Sequence, residues 1–95
     1  MSKINFVVPA HPGYFVVHPI HEETGEIKEA GREPVVAFAI DEDGCTHPVT
    51  LNEIEDRGDP AVLTPEGEVR SYSNTWESID TWLADMQRTA AREGA

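Results

Sequence analysis

Cysteine is nearly missing from this chain: Cys45 is the only one in 95 residues. No intrachain disulfide can form, which excludes the small disulfide-stapled class and makes a reducing compartment the expectation. Basic residues are scarce too, with 7 Lys plus Arg against 18 Asp plus Glu and a formal charge of -11. A field of that sign repels nucleic-acid phosphate and anionic membrane surfaces, and it draws in basic protein patches over about one Debye length, ~8 Å at physiological salt. Direct nucleic-acid binding is therefore the broad function most strongly disfavoured. Long hydrophobic runs are also lacking. The first, Ile4–Val8, is halted by Pro9, too soon for a signal-peptide core, and nothing approaches the ~18 consecutive apolar residues of a membrane span. The expectation is a cytoplasmic protein with no membrane partner.

Phosphate-binding loops are missing as well. Gly13, Gly31, Gly44, Gly58 and Gly67 are scattered, and no Lys-Ser/Thr follows any of them. No basic patch is interleaved with aromatics, as single-stranded nucleic acid requires. "DEDG" at Asp41–Gly44 fails as an EF-hand, because Thr46 falls where the loop needs Gly and Asn52 where it needs a bidentate Glu. It reads as a turn.

What is present is a 39% apolar content gathered in short blocks, enough for one core in a single acidic domain over residues 1–95. The blocks predict strands over residues 4–8, 14–20, 34–41, 45–51, 61–63 and 69–72. The first two flank a Pro-Gly turn, which suggests that they pair antiparallel. Residues His21–Glu33 are mostly charged and read as a long hairpin tip or a short exposed helix. "PVVAFAID" is the best candidate for a central strand, joined by the Asp-Gly turn to "CTHPVTL". "TPEG" at Thr64–Gly67 suits a second tight turn, with Pro65 second and Gly67 fourth.

A helix is predicted over residues 75–92. Asn74 stands as N-cap with Glu77 three residues on, and Trp76, Ile79, Leu83, Met86 and Ala90 form a stripe with Trp82 at its edge. The fold class that follows is α+β: a small antiparallel sheet or half-open barrel of four to six short strands, in a meander, with the amphipathic helix packed on it.

Two constellations bear on chemistry. His18, His21, Cys45 and His47 offer three nitrogens and a thiolate, a set Zn²⁺ accepts, but the Cys-x-His spacing lacks the usual Cys-x₂-Cys signature. Cys45 with His47, or with His18 and a carboxylate from Asp41 or Asp43, is the one nucleophilic arrangement to consider, and no nucleophile elbow accompanies it. The chain is therefore expected to be neither an enzyme nor dependent on a cofactor. The acidic clusters carry the stronger expectation. Asp41, Glu42 and Asp43 in one turn and Glu53, Glu55, Asp56 and Asp59 in a connector could face a basic protein, even as a phosphate mimic, with Trp82 or Tyr14 as anchors. The reading is a protein-binding or inhibitory module. The alternatives are a zinc-supported domain and a structural or self-associating protein, with homodimerisation open.

Overall fold

The computed structural model describes residues 3–55 and 59–93. Two antiparallel sheets and one C-terminal helix make an α+β fold with no closed barrel. The elements are β1 (Ile4–Pro9), β2 (Phe15–His21), β3 (Ile27–Pro34), β4 (Ala37–Asp41), β5 (Thr46–Val49), β6 (Ala61–Leu63), β7 (Val69–Arg70), β8 (Thr75–Trp76) and α1 (Ile79–Glu93). One sheet has the order β1-β4-β5 and the other β3-β2-β6-β7-β8.

The tight turns form where their residues dictate. Gly44 N–H donates to the Asp41 carbonyl and Gly67 N–H to the Thr64 carbonyl, both at 3.0 Å. Gly67 adopts φ 94°, a conformation that costs other residues a Cβ clash. The hairpins β4–β5 and β6–β7 follow, and β4 is central in its sheet.

The strand path differs from the sequence reading in three places. β1 and β2 do not pair: β1 lies against β4, with Val7 opposite Ala39, and β2 runs between β3 and β6. These nonlocal pairings put the two apolar runs flanking His11–Gly13 into different sheets, a path no simple meander contains. The charged segment after His21 is a hairpin tip, as one of its two readings had it, with Glu22 N–H bonded to the Glu26 carbonyl, but the tip is short and the chain runs back from Ile27 as β3. Its polarity suits a sheet edge with one solvated face. Finally, Asn74 is not the helix cap. Residues 71–74 form a turn closed by Ser71 N–H to the Asn74 carbonyl, and Thr75 and Trp76 pair with β7 as an added strand. The helix starts at Ile79, with Ser78 Oγ accepting the Thr81 N–H at 3.1 Å and the Ser78 carbonyl accepting the Trp82 N–H.

The core lies between α1 and one face of the five-stranded sheet. Trp82, 2% exposed, joins Val17, Ala61, Leu63 and Val69, with Phe15, Ala30, Trp76, Ile79, Leu83 and Met86 around them. Val62 alternates with Ala61 and Leu63, so it projects from the opposite face of that sheet. There it lines a cleft with Tyr14, Phe38 and Pro48, the last two from the three-stranded sheet. Ser78→Ala is expected to destabilise the chain by about 1 kcal/mol through loss of the cap, read as a lowered urea midpoint at unchanged slope.

Candidate functional site

The β4–β5 turn is organised by Asp41, which is 5% exposed. Its Oδ1 accepts the Asp43 N–H at 2.9 Å and the Cys45 N–H at 3.0 Å, while Oδ2 lies 2.8 Å from His47 Nε2. The chain of contacts continues across to the other sheet. The Tyr72 hydroxyl sits 2.7 Å from His47 Nδ1 and 2.7 Å from the Thr46 carbonyl. The hydrogen bond from His47 holds the Asp41 carboxyl below the usual carboxylate range. The two backbone N–H groups act in the same direction, and burial opposes them.

Asp59 is also committed to structure. It accepts hydrogen bonds from the Ser73 hydroxyl and the Tyr72 N–H, which lower its pKa in that order of effect. Asp85 accepts from Trp76 Nε1–H at 3.0 Å and from Arg88 at 2.9 Å, and its pKa falls for the same reasons. Asp41 and Asp59, read from the sequence as partner-facing, are thus a turn organiser and a loop clamp.

The remaining expected residues divide by exposure. Glu42, Asp43 and Glu53 stand in solvent. Glu55 is half-buried, its N–H bonded to the Pro48 carbonyl, because the chain after β5 doubles back and Ile54 bridges to Val49. Asp56 lies outside the described residues. Trp82 is in the core and offers no face to a partner, which corrects its assignment as an anchor. Tyr14 is half-buried, edge-on to Phe38 with ring centroids 5.3 Å apart.

His18 and His21 lie on β2 in one sheet, and Cys45 and His47 lie at β5 in the other. Among the described residues no group of three or more His, Cys, Asp or Glu side chains is placed to hold a metal ion. Cys45 is exposed, and the ring nitrogens of His47 are engaged by Asp41 and Tyr72 rather than by the thiol.

Two features were not singled out from the sequence. The cleft between the sheets has a volume of about 350 Å³ and is lined by Tyr14, Phe38, Val62, Thr64 and Tyr72 among others. Thr64 Oγ1 is buried there with no hydrogen-bond partner among the described residues. The second feature is β1, whose Phe6, Val7 and Val8 are all exposed. Its signal was present in the sequence: a strand with apolar residues at nearly every position has no solvent face. The chain matches no known family model, and no curated protein or solved structure matches it.

Asp41, Asp59 and Asp85 titrate lower in the folded chain than in the unfolded one. Their stabilising contribution is therefore complete above about pH 4 and is lost as the pH falls through the folded values. Urea unfolding across the acid range should show stability dropping below about pH 4, and the Asp41→Asn variant should show a shallower drop. Thr64→Val keeps the shape and removes the unpaired hydroxyl. It should raise stability by about 1 kcal/mol in the same assay, and a loss instead would mean that the hydroxyl is satisfied in solution.

Proposed function

We propose that the chain is a non-enzymatic protein-binding or inhibitory module that presents carboxylates to a basic protein, as nucleic-acid phosphate would. One observation carries this reading: three of the exposed carboxylates flank a single short strand. Glu42 and Asp43 sit in the turn at one end of β5, and Glu53 sits in the segment that doubles back at its other end. A strand of four residues spans only ~13 Å, so these three groups form one acidic strip within the reach of a single partner patch. Asp41 is buried and does not contribute to it, and Asp59, though exposed, is held by Ser73 and Tyr72.

A strip of this kind steers a basic partner into encounter and fixes its orientation, with most of its effect on association rate. The scarcity of Lys and Arg, 7 in all, leaves the field of the whole molecule pointing the same way. The same field opposes direct contact with nucleic acid or an anionic membrane.

The test begins with capture of partners from a lysate of the source organism at low and then moderate salt. The captured protein is then titrated with the wild-type chain and with the double variant Glu42→Lys/Glu53→Lys. The expected result is a basic protein whose affinity falls at least tenfold in the double variant, about 1.4 kcal/mol, and also falls as salt rises. An affinity indifferent to both changes would overturn the reading.

A further inference from the structure

The two sheets have four edges among the described residues, and three of them are guarded in ways that block pairing with another chain. β3 carries Lys28, Glu29, Arg32 and Glu33. β8 is only two residues long and is tied to the helix through Trp76 and Asp85. β5 contains Pro48, which has no N–H, and is overlaid by the returning chain through Glu53, Ile54 and Glu55. Charge, shortness, proline and coverage are the usual protections of a sheet edge.

β1 has little of this. Five of its six residues are exposed, and the strand holds no charged side chain. Phe6 and Val7 are each 54% exposed and Val8 is 39% exposed. Successive residues alternate between faces, so apolar groups meet solvent on both faces of the strand. Its ladder is with β4, and in an antiparallel ladder alternate N–H and C=O groups point away from the partner. Pro9 at one end and the register shift between Ile4 and Phe6 at the other confine the pairing zone to the middle of the strand.

We infer that β1 pairs antiparallel with β1 of a second copy of this chain, about a two-fold axis, joining two three-stranded sheets into one of six strands. The occupant follows from charge. From Ile4 to Ile20 the sequence contains no Asp, Glu, Lys or Arg, so this edge has nothing to attract a basic segment, whereas the β5 side of the same sheet does. A strand that is uncharged and apolar on both faces is matched by its own copy, because in a two-fold contact residue i meets j and j meets i. The geometry also keeps the acidic strips apart. With the order β5-β4-β1-β1-β4-β5 and strands about 4.8 Å apart, the outer strands, beside which Glu53 lies, stand roughly 24 Å from each other, while Glu42 lies nearer, beside Lys3. The separation of the outer strands is several Debye lengths at physiological salt. At the end of β1 nearest a carboxylate, Lys3, whose carbonyl accepts the Glu42 N–H, supplies a cation. A strand of six residues buries less than the ~1,600 Å² of a standard interface, so the dimer is a weak one, in the micromolar range.

This inference is independent of the acidic-strip reading, and salt separates the two. Screening strengthens association between two chains of charge -11, whereas it weakens binding to a basic partner. Sedimentation equilibrium over a range of concentrations, at low and raised salt, should show mass moving from monomer toward dimer, further at raised salt. Amide hydrogen exchange at residues 4–8 should slow as protein concentration rises. Val7→Lys should weaken association at least tenfold with the helix circular-dichroism signal unchanged. A chain that stays monomeric at raised salt would overturn the inference. So would association that adds no protection at residues 4–8, a result the unaltered chain provides whatever the variant does.

Discussion

Burial of Trp82 is the contact on which the rest of the architecture depends. Its indole closes over Val17, Ala61, Leu63 and Val69, which come from three different strands of the five-stranded sheet. A buried Trp removes about 150–250 Å² from water, roughly 4–6 kcal/mol at ~25 cal/mol per Å², as an upper bound. Set against the ~5–15 kcal/mol that holds a typical protein folded, that is a large share for one side chain. The polar ties between helix and sheet fall into line around it: Trp76 Nε1–H to Asp85, and Gln87 Nε2–H to the Ile27 carbonyl at 2.9 Å. With one face of the sheet covered by the helix, the other is left with Val62 and Thr64, and the cleft they share with Tyr14 and Phe38 is where the second sheet meets the first.

That second sheet is chemically lopsided. Along its β5 side run the turn carboxylates, the doubling-back segment and the chain of contacts Asp41, His47 and Tyr72 that reaches the other sheet. Along its β1 side there is only an apolar, uncharged strand. The carboxylates are not equivalent to one another. Asp41, buried, and Asp59, exposed, both accept hydrogen bonds that hold loops in place, whereas Glu42 and Glu53 are exposed. Composition counts all of these alike; only hydrogen-bond geometry separates them.

Much of this was legible in the residues. The α+β class, the central position of β4, the two tight turns and the amphipathic helix follow from local signals, the Asp-Gly and Pro-x-Gly turns and the 3.6-residue periodicity. What local pattern cannot carry is strand partnership. Nothing within Ile4–Val8 or Tyr14–Ile20 says that each run has a better partner than its sequence neighbour, because pairing is settled by which faces become buried elsewhere. The helix start was misplaced for a related reason. Asn74 and Glu77 have the spacing of a cap, but Thr75 and Trp76 gain more as a strand on β7, and Ser78 takes over the cap. Polarity hid β3, since an edge strand with a solvated face resembles a loop in composition.

An apolar edge on so acidic a chain is not a contradiction. Net negative charge discourages indiscriminate contact between copies, so an unguarded strand can persist without general stickiness. Charge alone would not prevent strand-by-strand growth, because a two-stranded contact that leaves a second open edge can propagate into a fibre. Here the far edge of the sheet is overlaid by Glu53–Glu55 and interrupted by Pro48, so pairing through β1 closes on itself after one step. The doubling-back of the chain beside β5 therefore has a consequence beyond its own residues. It fixes Glu53 beside β5, and it leaves the far edge of the sheet covered against any association through β1.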